Sequence, residues 1–408
     1  MSKPHNGYDQ AVNWLFEQFP SYQVIGSKAY KPTLDNIRIL LNFLGNPQDD
    51  LAFIHVAGSN GKGSTCSMLA SILTESNYKV GLFTSPHIQD YSERIRIDGN
   101  PIDQEAVVRF VAKVRSKDLS FSPSFFEMTF ALAILHFKNE ACDICVIETG
   151  LGGRLDATNV ISPLLSVITT ISLEHTDILG DTLEEIAKEK AGIIKLDTPV
   201  VIGAMSASIR TVFTEIAKDK NAQLIDLDDK VSIPENFPLL GDYQRLNYRL
   251  ACTVLRNLEG FPIKVRALET GIENISANSG FKGRLQIIDR APLTLLDVSH
   301  NPDGIKATLE TVMKLNRGEL YVILGTSSDK DLLGILLEFP ATLKMCFTEF
   351  SNQRSATVDE FTEILPGDRE LFGSFHDPLE ALKFVQNSAT QDDTILIIGS
   401  FFLVSDYF

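Results

Sequence analysis

The sequence predicts an α/β protein: a larger domain with a mainly parallel sheet, followed by a smaller α/β domain. Three observations predict it. Short apolar runs rich in Ile and Val alternate with amphipathic stretches over most of the 408 residues, the pattern of parallel strands joined by helical crossovers. One of these runs feeds a Gly-rich turn that opens a helix. A polar, Gly-containing segment, Ser276 to Gly283, then separates this series from a second one.

Phe53 to Ala57 is the first apolar run, and the amphipathic stretch Ser64 to Ser76 follows its turn. Lys79 to Phe83 reads as a second strand, while Glu105 to Arg115 and Phe125 to Phe137 carry helical periodicity. Ile144 to Ile147, Leu165 to Thr169 and Val200 to Ile202 have the apolar content of strands covered on both faces. The helices Leu183 to Ala191 and Ile209 to Lys218 are interleaved with them. After Val231 the pattern loosens through Pro234 and Pro238, and two helical stretches follow, roughly Tyr243 to Leu258 and Val265 to Ile275. We divide the chain into domains of residues 1–282 and 283–408. The second holds strand Leu293 to Asp297, helix Asp303 to Leu315, strand Leu320 to Leu324, helix Pro378 to Gln386 and strand Thr394 to Ile398. There is no internal repeat and no low-complexity tract.

At roughly 150 residues per domain the length suits two or three domains. Hydrophobic residues make up 44% and charged residues 22%, which excludes disordered and fibrous classes. No apolar run approaches the ~18 residues of a membrane span. Met1 to Gln10 is polar and carries no signal-peptide core, so the expected location is the cytoplasm. With 53 acidic against 37 basic residues the net charge is −16, which disfavours nucleic-acid and anionic-membrane partners. An anionic ligand must therefore be held by local donors. The five cysteines, Cys66, Cys142, Cys145, Cys252 and Cys346, do not read as a disulfide framework. Cys142 and Cys145 form a C-x-x-C, but in an expected strand Ala141 to Ile147 residues three apart point to opposite faces. No second Cys/His pair at ligand spacing accompanies them, so a zinc or redox reading is set aside.

The strongest local signal is Gly58-Ser59-Asn60-Gly61-Lys62-Gly63-Ser64-Thr65, between an expected strand and an expected helix. Successive backbone N–H groups and the helix N-terminus can cradle phosphate oxygens there, with Lys62 as a point charge. This phosphate-binding loop (P-loop) departs from the common pattern. Gly63 follows the lysine, so the next position has no hydroxyl for Mg²⁺. A second signal is the strand Ile144 to Ile147 ending in Glu148, followed by Gly150-Leu151-Gly152-Gly153-Arg154-Leu155-Asp156. A carboxylate beside a phosphate loop is a hard oxygen donor suited to Mg²⁺, and the glycines admit close backbone approach. His175 follows the strand Leu165 to Thr169 at the end where such sheets bind ligands. Lys190 lies on a helix where a solvated side chain is expected. In the second domain, Asn301 before Pro302 reads as an N-cap with Pro at N1. Asp297 and His300 have no comparable structural explanation.

Together these residues resemble the folylpolyglutamate synthase/dihydrofolate synthase family of the Mur ligase superfamily, over nearly the whole chain. The carrying segments are His55 to Thr65, Thr84-Ser85-Pro86-His87 with Glu93-Arg94-Ile95-Arg96, Phe126-Glu127, Glu148 to Asn159, His175, and Glu189 to Ile193. Gly283-Arg284, Asp297 to Pro302, Asp329-Lys330-Asp331 and Gly399-Ser400 continue the match. The resemblance implies a Mur ligase-like fold, with a P-loop domain and a Rossmann-like C-terminal glutamate ligase domain. It implies ATP-dependent joining of L-glutamate to 7,8-dihydropteroate and to the γ-carboxylate of tetrahydrofolates, through an acyl phosphate, releasing ADP and phosphate.

By the same resemblance, Gly58 to Thr65 with Lys62 grips the triphosphate and Asn247 contacts ATP. Ser85 and Glu148 ligate a first Mg²⁺, and His175 and a carbamylated Lys190 serve a second; a potassium ion completes the implied ions. Arg284, Asp297 and His300 close over nucleotide and glutamate from the second domain. Phe126, Gly152, Asp156 and Ala157 line the pterin side. The implied partners are small molecules acting on a monomer. Ser59 keeps the hydroxyl of the usual Thr. Glu174 replaces the usual Asp before the histidine, Leu285 stands where an aromatic is usual after Gly-Arg, and Val298-Ser299 replace small residues. A polyglutamate synthase alone, another Mur-type amino-acid ligase, and a P-loop nucleotide switch remain as alternatives. The switch would need a guanine-reading N-K-x-D, and Ser328-Asp329-Lys330-Asp331 has the wrong order.

Overall fold

The structure, a computed structural model, describes residues 6–19, 21, 26, 31–117, 121–367, 369 and 371–408; the first five residues of the polar start lie outside them. The chain divides into two compact units, one of Met1–Pro238 with Gln244–Phe281 and one of Leu239–Tyr243 with Lys282–Phe408.

In the first unit the apolar runs become strands β1 (Phe53–Ala57), β2 (Val80–Phe83), β3 (Ile95–Ile97), β4 (Asn100–Pro101), β5 (Ile144–Glu148), β6 (Leu165–Ile168), β7 (Val200–Ile202) and β8 (Leu224–Asp226). They form one eight-stranded sheet of order β4-β3-β2-β5-β1-β6-β7-β8. The pairings from β2 to β8 are parallel, and β3 and β4 are antiparallel at one edge. β1 lies inside the sheet and all five of its residues are buried. Two apolar clusters flank it, one gathering Phe53, Phe83, Phe130 and Phe137, the other Ala57, Ile168, Ile202 and Phe213. The helices begin where side chains cap them. Ser124 and Glu127 form a reciprocal capping box for helix Phe125–Asn139, as Thr182 and Glu185 do for Leu183–Ala191.

The second unit has β9 (Gln286–Arg290), β10 (Leu293–Asp297), β11 (Leu320–Leu324), β12 (Lys344–Thr348), β13 (Leu371–Phe375) and β14 (Thr394–Ile398), in the order β13-β12-β11-β14-β10-β9. All pair in parallel except β9. Leu295, Val322, Leu324, Phe347, Phe361 and Leu396 pack together in its core, against which Leu240 and Tyr243 rest.

Several elements were not expected from sequence: helices Asn6–Gln18 and Asp35–Phe43, strands β3, β4, β8, β9, β12 and β13, and the short helices Leu332–Leu337, Val358–Glu363 and Phe401–Ser405. These strands are short or carry polar residues, so alternation and β-branching are diluted. The expected linker Ser276 to Gly283 is partly helical, Ile275–Ser279. Its polar residues serve packing: Asn278 donates to Ser71 Oγ at 3.2 Å and Glu75 Oε1 at 2.8 Å on helix Lys62–Glu75. The expectation for the C-x-x-C is also corrected. β5 starts only at Ile144 and Ala141 is left-handed at φ 52°, so Cys142 lies outside the strand and alternation does not set which way it points. Both thiols are free and buried. Among the described residues, no helix is long and apolar enough to cross a membrane.

Phe130 is fully buried and meets Phe83 edge-on at 5.4 Å. Phe130→Ala is expected to cost about 3–5 kcal/mol, read as a lower urea midpoint; a change below ~1 kcal/mol would contradict this packing.

Candidate functional site

β1 ends between β5 and β6, so its following loop lies at the carboxyl edge of the sheet. That loop is laid against the chain that follows β6. Ser59 N donates to Thr170 O (2.7 Å) and Asn60 N to Thr170 Oγ1 (3.0 Å). Thr169 Oγ1 donates to Asn60 O (2.7 Å), and the Ser59 hydroxyl donates to Ser172 O while accepting from Ser172 N. Gly58 is obligatory: φ is +145°, and a Cβ would lie 1.9 Å from Thr169 Oγ1. Gly61, at φ +86°, has Asn247 Oδ1 2.5 Å from where its Cβ would be. Asn247 is fixed by Gln244, whose amide reaches Ser64 Oγ at 3.3 Å. Helix Lys62–Glu75 opens directly from the loop, so the amides of its first turn, Lys62, Gly63 and Ser64, face the loop without helical acceptors. Thr65 Oγ1 is buried without a hydrogen-bond partner among the described residues.

Two ammonium groups converge on one loop carbonyl. Lys62 Nζ donates to Gly58 O (2.8 Å) and Ser59 O (3.1 Å), and Lys190 Nζ also donates to Gly58 O (2.9 Å). Lys190 is not the solvated helix residue expected from sequence; it is 1% exposed and paired with Glu174 at 2.7 Å. Burial pulls the Lys190 ammonium pKa down, against the opposing pull of Glu174. Burial alone would raise the Glu174 pKa, but Lys190, Lys62 and His175 together hold it well below the usual carboxylate range. The departure at Glu174 therefore has a physical role as the counter-charge of a buried lysine. His175, left-handed at φ 48°, stands next to it at the start of a one-turn helix, Thr176–Leu179.

Glu148 ends β5 in register with Val56 of β1. Its carboxylate is buried and accepts from Ser85 N at 3.1 Å, which brings Ser85 next to it. Arg94 is buried nearby, donating to His87 Nδ1 at 2.8 Å and lying over the Phe125 ring at 5.4 Å. Burial pushes its guanidinium down to about 10, against Tyr91, Glu148 and Glu93. Glu148 and Ser85 are hard oxygen donors, a set that suits Mg²⁺ completed by phosphate oxygens and water. Among the described residues, no group of three or more His, Cys, Asp or Glu could hold a metal by itself. Lys190 as an ammonium has only donors and does not fit a metal unless its nitrogen is converted to a carbamate.

The Gly150 to Ala157 loop follows β5. The Phe126 ring packs on Gly150, where a Cβ would fall 2.5 Å from its tip, and sits 5.6 Å from the Phe83 ring. Gly152 is left-handed at φ 68°, and Ala157 is buried. Asp156 is buried. Its carboxylate accepts from Gly150 N (2.9 Å), Leu151 N (2.8 Å) and Thr158 N (3.0 Å), so it organises the loop.

In the second unit, Asn301 caps helix Pro302–Leu315 by accepting from Gly304 N at 2.8 Å. Asp297, for which the sequence offered no structural explanation, has one: fully buried, it accepts from Leu285 N (2.8 Å), Ser299 N (2.9 Å) and Thr308 Oγ1 (3.2 Å). Leu285 is left-handed at φ 44° and buried, so Asp297 ties down a strained turn. That turn presents Arg284, whose guanidinium lies 5.1 Å from the Phe401 ring centre. His300 approaches the same ring at 6.0 Å and donates from Nδ1 to Val298 O at 3.0 Å. Asp329 pairs with Arg354 and Asp331 caps helix Leu332–Leu337. Sequence reasoning missed Thr169, Thr170, Ser172 and Phe401. A run of hydroxyl residues just past a strand is the one local signal that could have flagged the first three.

The Mur ligase middle domain matches residues 56–231 and the Mur ligase glutamate ligase domain residues 283–401. The chain is 33% identical to the folylpolyglutamate synthase of Lacticaseibacillus casei, over 91% of this chain and 93% of that protein. It is 31% identical to the dihydrofolate synthase/folylpolyglutamate synthase of Bacillus subtilis, over 92% and 94%. It spans about half the length of the probable bifunctional folylpolyglutamate synthase/dihydropteroate synthase of Haloferax volcanii, at 32% identity over 98% of this chain and 50% of that protein. Among solved structures it resembles E. coli FolC in complex with DHPP and ADP, with TM-score 0.86, 29% identity, and coverage of 100% of this chain and 98% of that one.

A carboxylate whose folded pKa is depressed adds stability above its unfolded pKa and loses it as pH falls. The Glu174 contribution is therefore expected to disappear as pH drops below its ordinary value of 4.5. Glu174→Gln should remove that acid-limb loss and, by leaving Lys190 unpaired, cost roughly 3–5 kcal/mol at pH 7. Urea unfolding of both proteins from pH 3 to 7 checks this; parallel pH curves would refute it.

Proposed function

We propose that this chain, which belongs to the folylpolyglutamate synthase/dihydrofolate synthase family of Mur ligases, is an ATP-dependent ligase. It joins L-glutamate to 7,8-dihydropteroate and to the γ-carboxylate of tetrahydrofolates, with residues 1–282 as the ATP-binding domain and 283–408 as the glutamate ligase domain. The observation that carries the reading is the Lys62 ammonium on the Gly58 and Ser59 carbonyls, at the N-terminus of helix Lys62–Glu75, in a protein of net charge −16. A cation beside the free first-turn amides leaves local positive charge at a ring of backbone donors, which suits a polyphosphate.

A carboxylate is a poor acyl donor, so ATP converts it to an acyl phosphate that the glutamate amine attacks. Phosphoryl transfer needs positioning and cations more than covalent help from the protein. Lys62 and the first-turn amides bind the triphosphate, and Asn247 lies against Gly61 where the loop turns towards the nucleotide. Glu148 and the Ser85 hydroxyl would hold a divalent cation, which neutralises charge on the transferred phosphoryl group. His175, with Lys190 as its carbamate, would hold a second. Burial favours the neutral Lys190 amine, the form that adds carbon dioxide, while Glu174 favours the ammonium. Phe126 and the loop Gly152 to Ala157, shaped by Asp156, take the pterin side. In the second unit Arg284 is assigned to the nucleotide and His300 to glutamate, with Asp297 fixing the turn that carries Arg284. The reading also includes a potassium requirement, a monomeric state and a cytoplasmic location.

The deciding experiment is glutamate-dependent phosphate release over a panel of pteroate and folate acceptors. Release with both dihydropteroate and tetrahydrofolate is expected. Release with tetrahydrofolate alone narrows the activity to a polyglutamate synthase, as the name of the Lacticaseibacillus casei relative has it. Replacing K⁺ by Na⁺ in the same assay tests the potassium requirement, and sedimentation the monomer. Lys62→Ala is expected to lower turnover by about 100-fold or more while the fold stays intact and unfolding stays cooperative, since its ammonium hydrogen-bonds loop carbonyls and not the core. Near-wild-type turnover would refute the loop assignment.

A further inference from the structure

His55 is a fully buried imidazole in the middle of the central strand β1, between Ile147 of β5 and Ser166 of β6. No role above uses it. Its Nε2 lies 2.8 Å from Thr158 Oγ1, and the Thr158 hydroxyl donates to Asp156 Oδ1. A hydroxyl has one proton, so the Thr158 oxygen, having given its proton to Asp156, accepts from His55. The proton therefore sits on Nε2, and Nδ1 is a buried acceptor without a hydrogen-bond partner among the described residues. Burial, reinforced by Lys195, pushes the imidazole down to about 3, so it stays neutral in the physiological range.

A Val or Ile at this position would fit a strand buried on both faces without the desolvation of two ring nitrogens. The one return for the histidine is its bond to Thr158. Through Thr158 that bond fixes Asp156, whose other carboxylate oxygen accepts the amides of Gly150 and Leu151. The relay thus runs from the rigid centre of the sheet to the loop on which Phe126 rests.

We propose that His55, acting through Thr158, is a positioning residue that sets the Gly150 to Asp156 loop for the acceptor substrate. The inference rests on the reading of that loop as the pterin side. It predicts a selective effect, on the acceptor and not on the nucleotide, because the bond leaves β1 sideways and Thr158 lies outside the phosphate loop.

The test uses the full-length chain with Thr158→Val, His55→Leu and His55→Gln, following amide hydrogen exchange and the kinetics for dihydropteroate and ATP. Thr158→Val leaves β1 intact, and the Gln side chain can place an N–H donor near the position of Nε2. Thr158→Val and His55→Leu are expected to speed exchange at Gly150 and Leu151 and to raise KM for the acceptor about tenfold, with KM for ATP within about twofold. His55→Gln should recover most of both. Unchanged exchange, exchange that quickens without a rise in acceptor KM, an equal loss for ATP, or a Gln variant no better than Leu would each overturn the proposal. Failure of the underlying ligase reading shows differently, as wild-type protein that releases no phosphate with any pteroate or folate. That result would remove the acceptor role, while exchange would still report whether the relay holds the loop.

Discussion

The phosphate loop of this protein does not hold its own shape. Its backbone is laid along the chain after β6, with Thr169, Thr170 and Ser172 bonding to Ser59 and Asn60. This seam brings the rest of the candidate site with it. It presses Thr169 against Gly58, which only glycine permits, and turns the Gly58 carbonyl towards Lys190. It also places Glu174 and His175 a few residues further along the same segment, where Glu174 balances Lys190. The parallel pairing of β1 with β6 sets the register of the seam, so the site depends on that pairing.

The carboxylates around the candidate site divide into two kinds by what they bond. Asp156 and Asp297 are consumed by backbone amides and hydroxyls, and their charge shapes a turn. Glu174 faces the Lys190 ammonium, and Glu148 accepts from the Ser85 amide. The division matters because a carboxylate saturated with backbone donors has little lone-pair capacity left for a cation. The overall charge of −16 says nothing about this. Local geometry decides which acids can meet a metal and where a polyanion is welcome.

The second unit repeats the logic with a different outcome. Asp297 holds Leu285 in a left-handed conformation, and the resulting turn lays Arg284 over Phe401, with His300 at the edge of the same ring. A cation stacked on an aromatic ring keeps its outer N–H groups available while its orientation is fixed.

By itself the sequence determined the α/β class, the central strands β1, β5, β6, β7, β10, β11 and β14, the helices between them, and the order of motifs that marks the family. These are encoded locally: uninterrupted apolar runs, capping residues, and glycines around a lysine. The strands β3, β4, β8, β9, β12 and β13 escaped because a short, half-exposed or polar-containing strand has little apolar signal of its own. The tertiary structure alone decided that Lys190 is buried against Glu174, that Asp156 and Asp297 are spent on their own turns, and that His55 reaches Thr158. Each of these joins residues through space, and a side chain's partner, unlike its periodicity, is set only when the sheet brings distant segments into register.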